Sequence, residues 1–201
     1  DPPEYNRIVK SGRHRGCAYE VFSVMQVLRK THTIDSQADE QPNTELDRHR
    51  YFNAVQNARL VINAERYYRT LFQPGSNSWN QRDYNMFESL MEVIKYSGQT
   101  SKVVVWAHNS HIGDARATKH SSRGEFNLGQ LTREAFGKNA YLIGFGTDHG
   151  TVLAAPYWDG PMKTMQVPPS LPGSYEHQFH QVKADNFLLP PGFSFGLLKQ
   201  G

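Results

Sequence analysis

The stretch Lys102-Val-Val-Val-Trp-Ala-His-Asn-Ser-His-Ile-Gly-Asp114 constrains the fold more than any other. Val103 to Ala107 form an apolar run with no polar residue, too short for a helix and rich in β-branched side chains. Such a run predicts a strand buried on both faces. It ends abruptly in His108, Asn109, Ser110 and His111, and Gly113 breaks it off. Ligands of open α/β sheets sit just past the carboxyl ends of the strands, so two imidazoles there are candidate chemistry. The plainer reading is that His108 caps the strand and His111 is solvated.

Other segments fill out an α/β expectation. Val21, Val24, Met25 and Leu28 lie at helical spacing within 18–28, and Thr31 to Glu45 reads as a polar loop. A long amphipathic helix is predicted over about 46–72, with Tyr51, Val55, Ala58 and Ile62 on its apolar stripe. Asn53, Asn57, Asn63 and Glu65 interrupt that helix, which is unusual for a purely packing surface. A second helix is expected over about 81–96, with Arg82 and Asp83 in its first turn. Asp83 suits the positive end of the helix dipole, whereas Arg82 there needs a carboxylate or a ligand. A polar loop holding Asp114, Arg116 and His120 leads to a short helix from Leu128, stopped by Gly137. Strands are predicted at 141–145 and 151–155, then a Pro-rich irregular segment at 156–172 and a short helix at 174–180. Residues 1–16 read as polar and turn-rich. The predicted architecture is a sheet of mainly parallel strands flanked by helices, joined by right-handed crossovers.

Composition narrows the function. The 201 residues suffice for one sizeable core. Lys and Arg are dispersed at a net charge of +3, which disfavours a nucleic-acid partner. No apolar run reaches membrane-spanning length. Cys17 is the only cysteine, which excludes an intrachain disulfide and fits a cytoplasmic setting. The opening Asp1-Pro-Pro-Glu4 is neither an initiator nor a signal peptide, so a longer parent is expected.

Two motifs need weighing. Gly192-Phe-Ser-Phe-Gly196 matches the nucleophile-elbow pattern but has no following helix and no later histidine, so Ser194 is rejected as a nucleophile. His108 and His111 have the spacing of a metal pair, with His149 as a third donor, but a strand end presents no obvious further ligand. No metal and no cofactor is therefore expected. An acid–base histidine needs only one positioned partner and a water.

Taken together, several uncommon strings resemble the erythromycin esterase family. They are Trp106-Ala-His-Asn-Ser-His-Ile-Gly-Asp-Ala-Arg-Ala-Thr118, Asn63-Ala-Glu-Arg-Tyr-Tyr-Arg69, Ser78-Trp-Asn-Gln-Arg-Asp83, Asn127-Leu-Gly-Gln130, Trp158-Asp-Gly-Pro161 and Leu171-Pro-Gly-Ser-Tyr-Glu176. The nearest resemblance is to bacterial esterase-like domains fused behind a phosphoribosyltransferase domain, and it spans about residues 50–180. It implies an α/β fold and metal-independent hydrolysis of carboxylic esters or macrolactones, including antibiotic inactivation. It places His108 and His111 in the catalytic site, and Arg82, Asp83, Asn80, Glu65 and Asn109 around the substrate. The same resemblance implies a G-E-x-x-H-G segment, whose Glu and His serve water activation. These 201 residues contain none. The expectation is thus the C-terminal half of an esterase-like domain, inactive alone, with its own N-terminal half as partner. The alternative is a non-catalytic binding or scaffold module that retains half a pocket.

Overall fold

A computed structural model describes residues 2–37, 44–71, 77–98, 100–157, 160–184 and 187, with the side chains of 2–3, 31–37 and 77 excepted. The chain divides into two units, residues 1–144 and 145–201.

The first unit is helical. Helix α1 spans Pro2–Lys10, α2 Ala18–Gln37, α3 Glu45–Thr70 and α4 Asn77–Ser97. The long helix expected at 46–72 forms as α3. Thr44 starts it by accepting a hydrogen bond from the Asp47 N–H, which satisfies one orphan donor of the first turn. Its apolar stripe buries Ala58 and Ile62 against Met25 of α2, with Val21 packed alongside. An adjoining face meets α4: Phe52 stacks on Tyr96 at 4.2 Å, and Arg59 lies 3.7 Å from Glu88 and 3.3 Å from Glu92.

Helix α1 is tied to α3 by polar contacts. The Tyr5 hydroxyl donates to Glu65 at 3.0 Å, and Arg69 pairs with the same carboxylate. Gly16 passes against Glu65 and Arg69 with φ +84°, where any side chain would collide with both.

Beyond α4 come short elements: α5 (Asn109–Ile112), a 3-10 turn (Ala115–Ala117), α6 (Lys119–Ser122) and α7 (Leu128–Phe136). Gly137, at φ +53°, stops α7 as expected.

The second unit holds β1 (Gly150–Ala154), β2 (Lys163–Val167) and α8 (Tyr175–His180). The strands are antiparallel, with Gly150 opposite Val167 and Ala154 opposite Lys163.

The expected mainly parallel sheet is therefore corrected. Among the described residues the sheet has two strands, and they are antiparallel. Val103–Ala107 and Tyr141–Phe145 join no sheet, and Val104 and Trp106 are each 88% exposed rather than buried. The run has the side chains of a buried strand, but a strand is completed by neighbours, and no described segment pairs with it.

Smaller corrections follow. Helix α1 occupies a stretch read as polar and turn-rich, and α2 continues through part of the expected 31–45 loop. β2 lies inside the expected irregular segment, and α4 begins four residues early, so Arg82 and Asp83 stand beyond its first turn. Ser194 and Trp158 lie outside the described residues.

Candidate active site

The site is built where α4 meets the segment from His108 to Leu128. Three α4 residues reach across. The Trp79 indole N–H donates to the Phe126 carbonyl at 2.7 Å. Asn80 donates to the Gly124 carbonyl at 3.0 Å and accepts from the Phe126 N–H at 3.1 Å. Asp83, with no exposed surface, accepts the Leu128 N–H at 2.9 Å, at the amino end of α7. A carboxylate there meets both an unsatisfied donor and the positive end of the helix dipole.

The same Asp83 carboxylate takes His111 Nδ1 at 2.8 and 3.0 Å. A carboxylate only accepts, so Nδ1 is the donor, and in the neutral ring Nε2 presents its lone pair. Arg82 Nη2 lies 3.4 Å from that Nε2. Trp79 stacks on His111 at 4.8 Å and 10°, and the Arg82 guanidinium carbon sits 5.0 Å from the Trp79 ring centre. His111 is thus held on two sides, by a buried anion and by an aromatic face.

Asn127 fixes the neighbouring backbone. Buried at the N-cap of α7, it accepts from the Gln130 N–H at 2.9 Å and the Ala115 N–H at 3.3 Å, and donates to the Ser110 carbonyl at 2.8 Å. Gly129 lies directly on the Ile112 and Gly113 carbonyls, an approach that leaves no room for a Cβ. Helix α5, which carries His111, is therefore seated on α7 by backbone contact.

Of the predicted site residues, Arg82, Asp83 and His111 come together directly, and Asn80 braces the adjoining loop. His111 is not solvated; its side chain is only 15% exposed. His108 is the N-cap of α5: its Nδ1 accepts from the Ser110 N–H at 3.2 Å, and its ring is exposed. Asn109 is exposed on α5. Glu65 is buried with Tyr5 and Arg69, and has no hydrogen bond to the His111 set.

Sequence reasoning missed a second imidazole. His120 stacks on Trp79 at 4.8 Å and pairs through Nδ1 with Glu125 at 2.7 Å. Trp79 thus lies between two carboxylate-bound histidines. Its place in the Ser78–Asp83 string was the only available signal.

An open groove of about 700 Å3 adjoins the site. Tyr67, Tyr68, Met86, Val105 and Leu128 give it an apolar wall, and Arg82 and Asn63 supply polar groups. Arg82 Nε and Asn63 Nδ2 are buried with no hydrogen-bond partner among the described residues.

Compared with known protein families, residues 1–194 match the model of the family described as erythromycin esterase. The match extends past both ends of the resembling segments. No solved structure matches the chain.

Proposed function

The chain belongs to the erythromycin esterase family, an esterase-like hydrolase family acting on small molecules, and from that premise we propose that the Asp83–His111–Arg82 arrangement serves hydrolysis of a carboxylic ester by water. The carrying observation is the His111 imidazole held by buried Asp83 through Nδ1, with Nε2 turned to Arg82.

In the proposed reaction water attacks the ester carbonyl, and His111 Nε2 takes its proton. Asp83 fixes the ring and offsets the imidazolium charge, as in any base–orienter pair. Negative charge grows on the carbonyl oxygen, and Arg82, released from His111 Nε2 as that nitrogen takes the proton, turns its N–H groups to it. The proton then passes to the departing alkoxide. His108, on the same helical turn, is the second imidazole of the proposed site, with Nε2 left for substrate. The apolar groove suits an ester with a large apolar body, a macrolactone among them. Antibiotic inactivation is the corresponding biological reading.

These 201 residues contain no G-E-x-x-H-G segment. On this reading a glutamate and a histidine from another polypeptide segment orient the attacking water, whose proton His111 takes. A binding module retaining half a pocket would bind esters without turnover. The test is hydrolysis of a chromogenic ester and a macrolide by the chain together with a polypeptide supplying that segment. Asp83→Asn should lower kcat roughly 10²–10⁴-fold, the range of a general base. Substrate binding without any turnover would favour the module.

A further inference from the structure

The second unit holds a cluster that the esterase reading leaves unused. Asp148, His149 and His180 bring one ligand atom each to within 4.8 Å of one another. Asp148 Oδ2 lies 2.6 Å from His149 Nδ1 and 3.8 Å from His180 Nε2. The two rings meet edge to face, with centroids 5.1 Å apart.

The carboxylate is aimed by its neighbours. Ser170 donates its hydroxyl to Oδ1, and the Ser170 N–H donates to the Asp148 carbonyl at 2.8 Å. With Oδ1 engaged, Oδ2 is the oxygen turned to both imidazoles. The Ser170 hydrogen bond, then the His149 hydrogen bond, holds the Asp148 carboxyl below its usual range. His180 sits on α8, and that helix packs on the segment that leads into Asp148. Gly146 lies against Glu176 of that helix, where a Cβ would come within 3.1 Å of the Glu176 side chain.

We propose that Asp148, His149 and His180 bind one divalent transition-metal ion, with zinc as the ion to test. One carboxylate oxygen and two imidazole nitrogens form the three-protein-donor set that first-row metals take, with a remaining position for water. Zinc about 2.0–2.2 Å from each donor sets donor separations of roughly 3.3–3.6 Å in a tetrahedron. The two short distances bracket that range, so each changes by less than about 1 Å on binding. The rings are free to make that change, since His149 and His180 are 58% and 56% exposed. The bound ion would tie the Thr147–Gly150 turn to the end of α8, and binding to the folded form alone raises stability. None of these residues belongs to the His111 arrangement, so the proposal stands apart from the esterase reading.

The test is titration of the chelator-treated chain with Zn2+ by calorimetry and with Co2+ by visible absorption, alongside thermal unfolding. The expected result is one ion per chain, a tetrahedral Co2+ spectrum and a higher Tm with zinc. His149→Gln and His180→Gln should each weaken binding at least about tenfold, by analogy with the loss seen when supporting partners are removed. Both rings are exposed, so these variants keep the fold, and circular dichroism verifies that. His49→Gln, on α3, should bind as the parent does. The proposal is overturned by no saturable binding near one equivalent, by binding that survives both histidine variants, or by equal weakening in His49→Gln. Those outcomes would leave Asp148 as a brace for its turn.

Discussion

Asp83 spends both oxygens on groups that define the site. It holds the His111 ring and the first N–H of α7 with no surface of its own exposed. Asp83→Ala leaves the His111 Nδ1–H and the buried Leu128 N–H unmet, and should cost about 1–3 kcal/mol for the Leu128 N–H alone. Urea unfolding measures this. Tyr5 carries the pH dependence that the fold shows most plainly. Burial, then the hydrogen bond to and charge of Glu65, push its phenol up to about 12 from the ordinary 10. The folded state therefore keeps a proton that the unfolded chain releases. That stability is complete below about pH 10 and is lost as pH rises through about 12. Alkaline titration of the ten tyrosines should show a late phenol that Tyr5→Phe removes. The urea midpoint of Tyr5→Phe should also fall less steeply between those pH values. At this scale the sequence was partly legible. The His-Asn-Ser-His string marked His111, and the Arg-Asp pair marked its partners. His120 was invisible because its carboxylate, Glu125, joins it only through the turn between them.

Elements show where periodicity informs and where it stops. Helices α3, α4 and α7 were legible because each carries its own stripe and stop signals, and a helix satisfies its backbone within itself. Strands do not. Val103–Ala107 and Tyr141–Phe145 have strand composition, yet pairing is decided by segments elsewhere, and no described segment supplies it. β2 was missed for the converse reason: Lys163–Val167 is weakly apolar but gains a partner in β1. The seating of α5 on α7 gives a sharp prediction. Gly129→Ala drives a methyl into the Ile112 and Gly113 carbonyls, and backbone cannot swing aside as a side chain can. We expect a loss of about 1–3 kcal/mol, the usual cost of overpacking. Because α5 carries His111, the ester-hydrolysis rate should fall as well, with Asp83 and Arg82 intact. Thermal unfolding and kinetics on the same variant check both.

Across the whole molecule, a site with two well-held polar partners coexists with apolar surface left uncovered. Val104 and Trp106 at 88%, Tyr141 at 86% and Ile143 at 67% exposure are residues that elsewhere fill cores. Exposed apolar patches of that kind mark surfaces that meet something else. Among the described residues no helix is long and apolar enough to cross a membrane. On the proposed reading an added segment completes the reacting groups, and the apolar run remains a wall of the groove that takes the substrate. The measurement to make is ester hydrolysis by the 201-residue chain mixed with a polypeptide carrying the G-E-x-x-H-G segment, with and without His111→Ala. The account predicts turnover that needs both polypeptides and drops roughly 10²–10⁴-fold in the variant, the contribution of a positioned base. Turnover that His111→Ala leaves unchanged would contradict it.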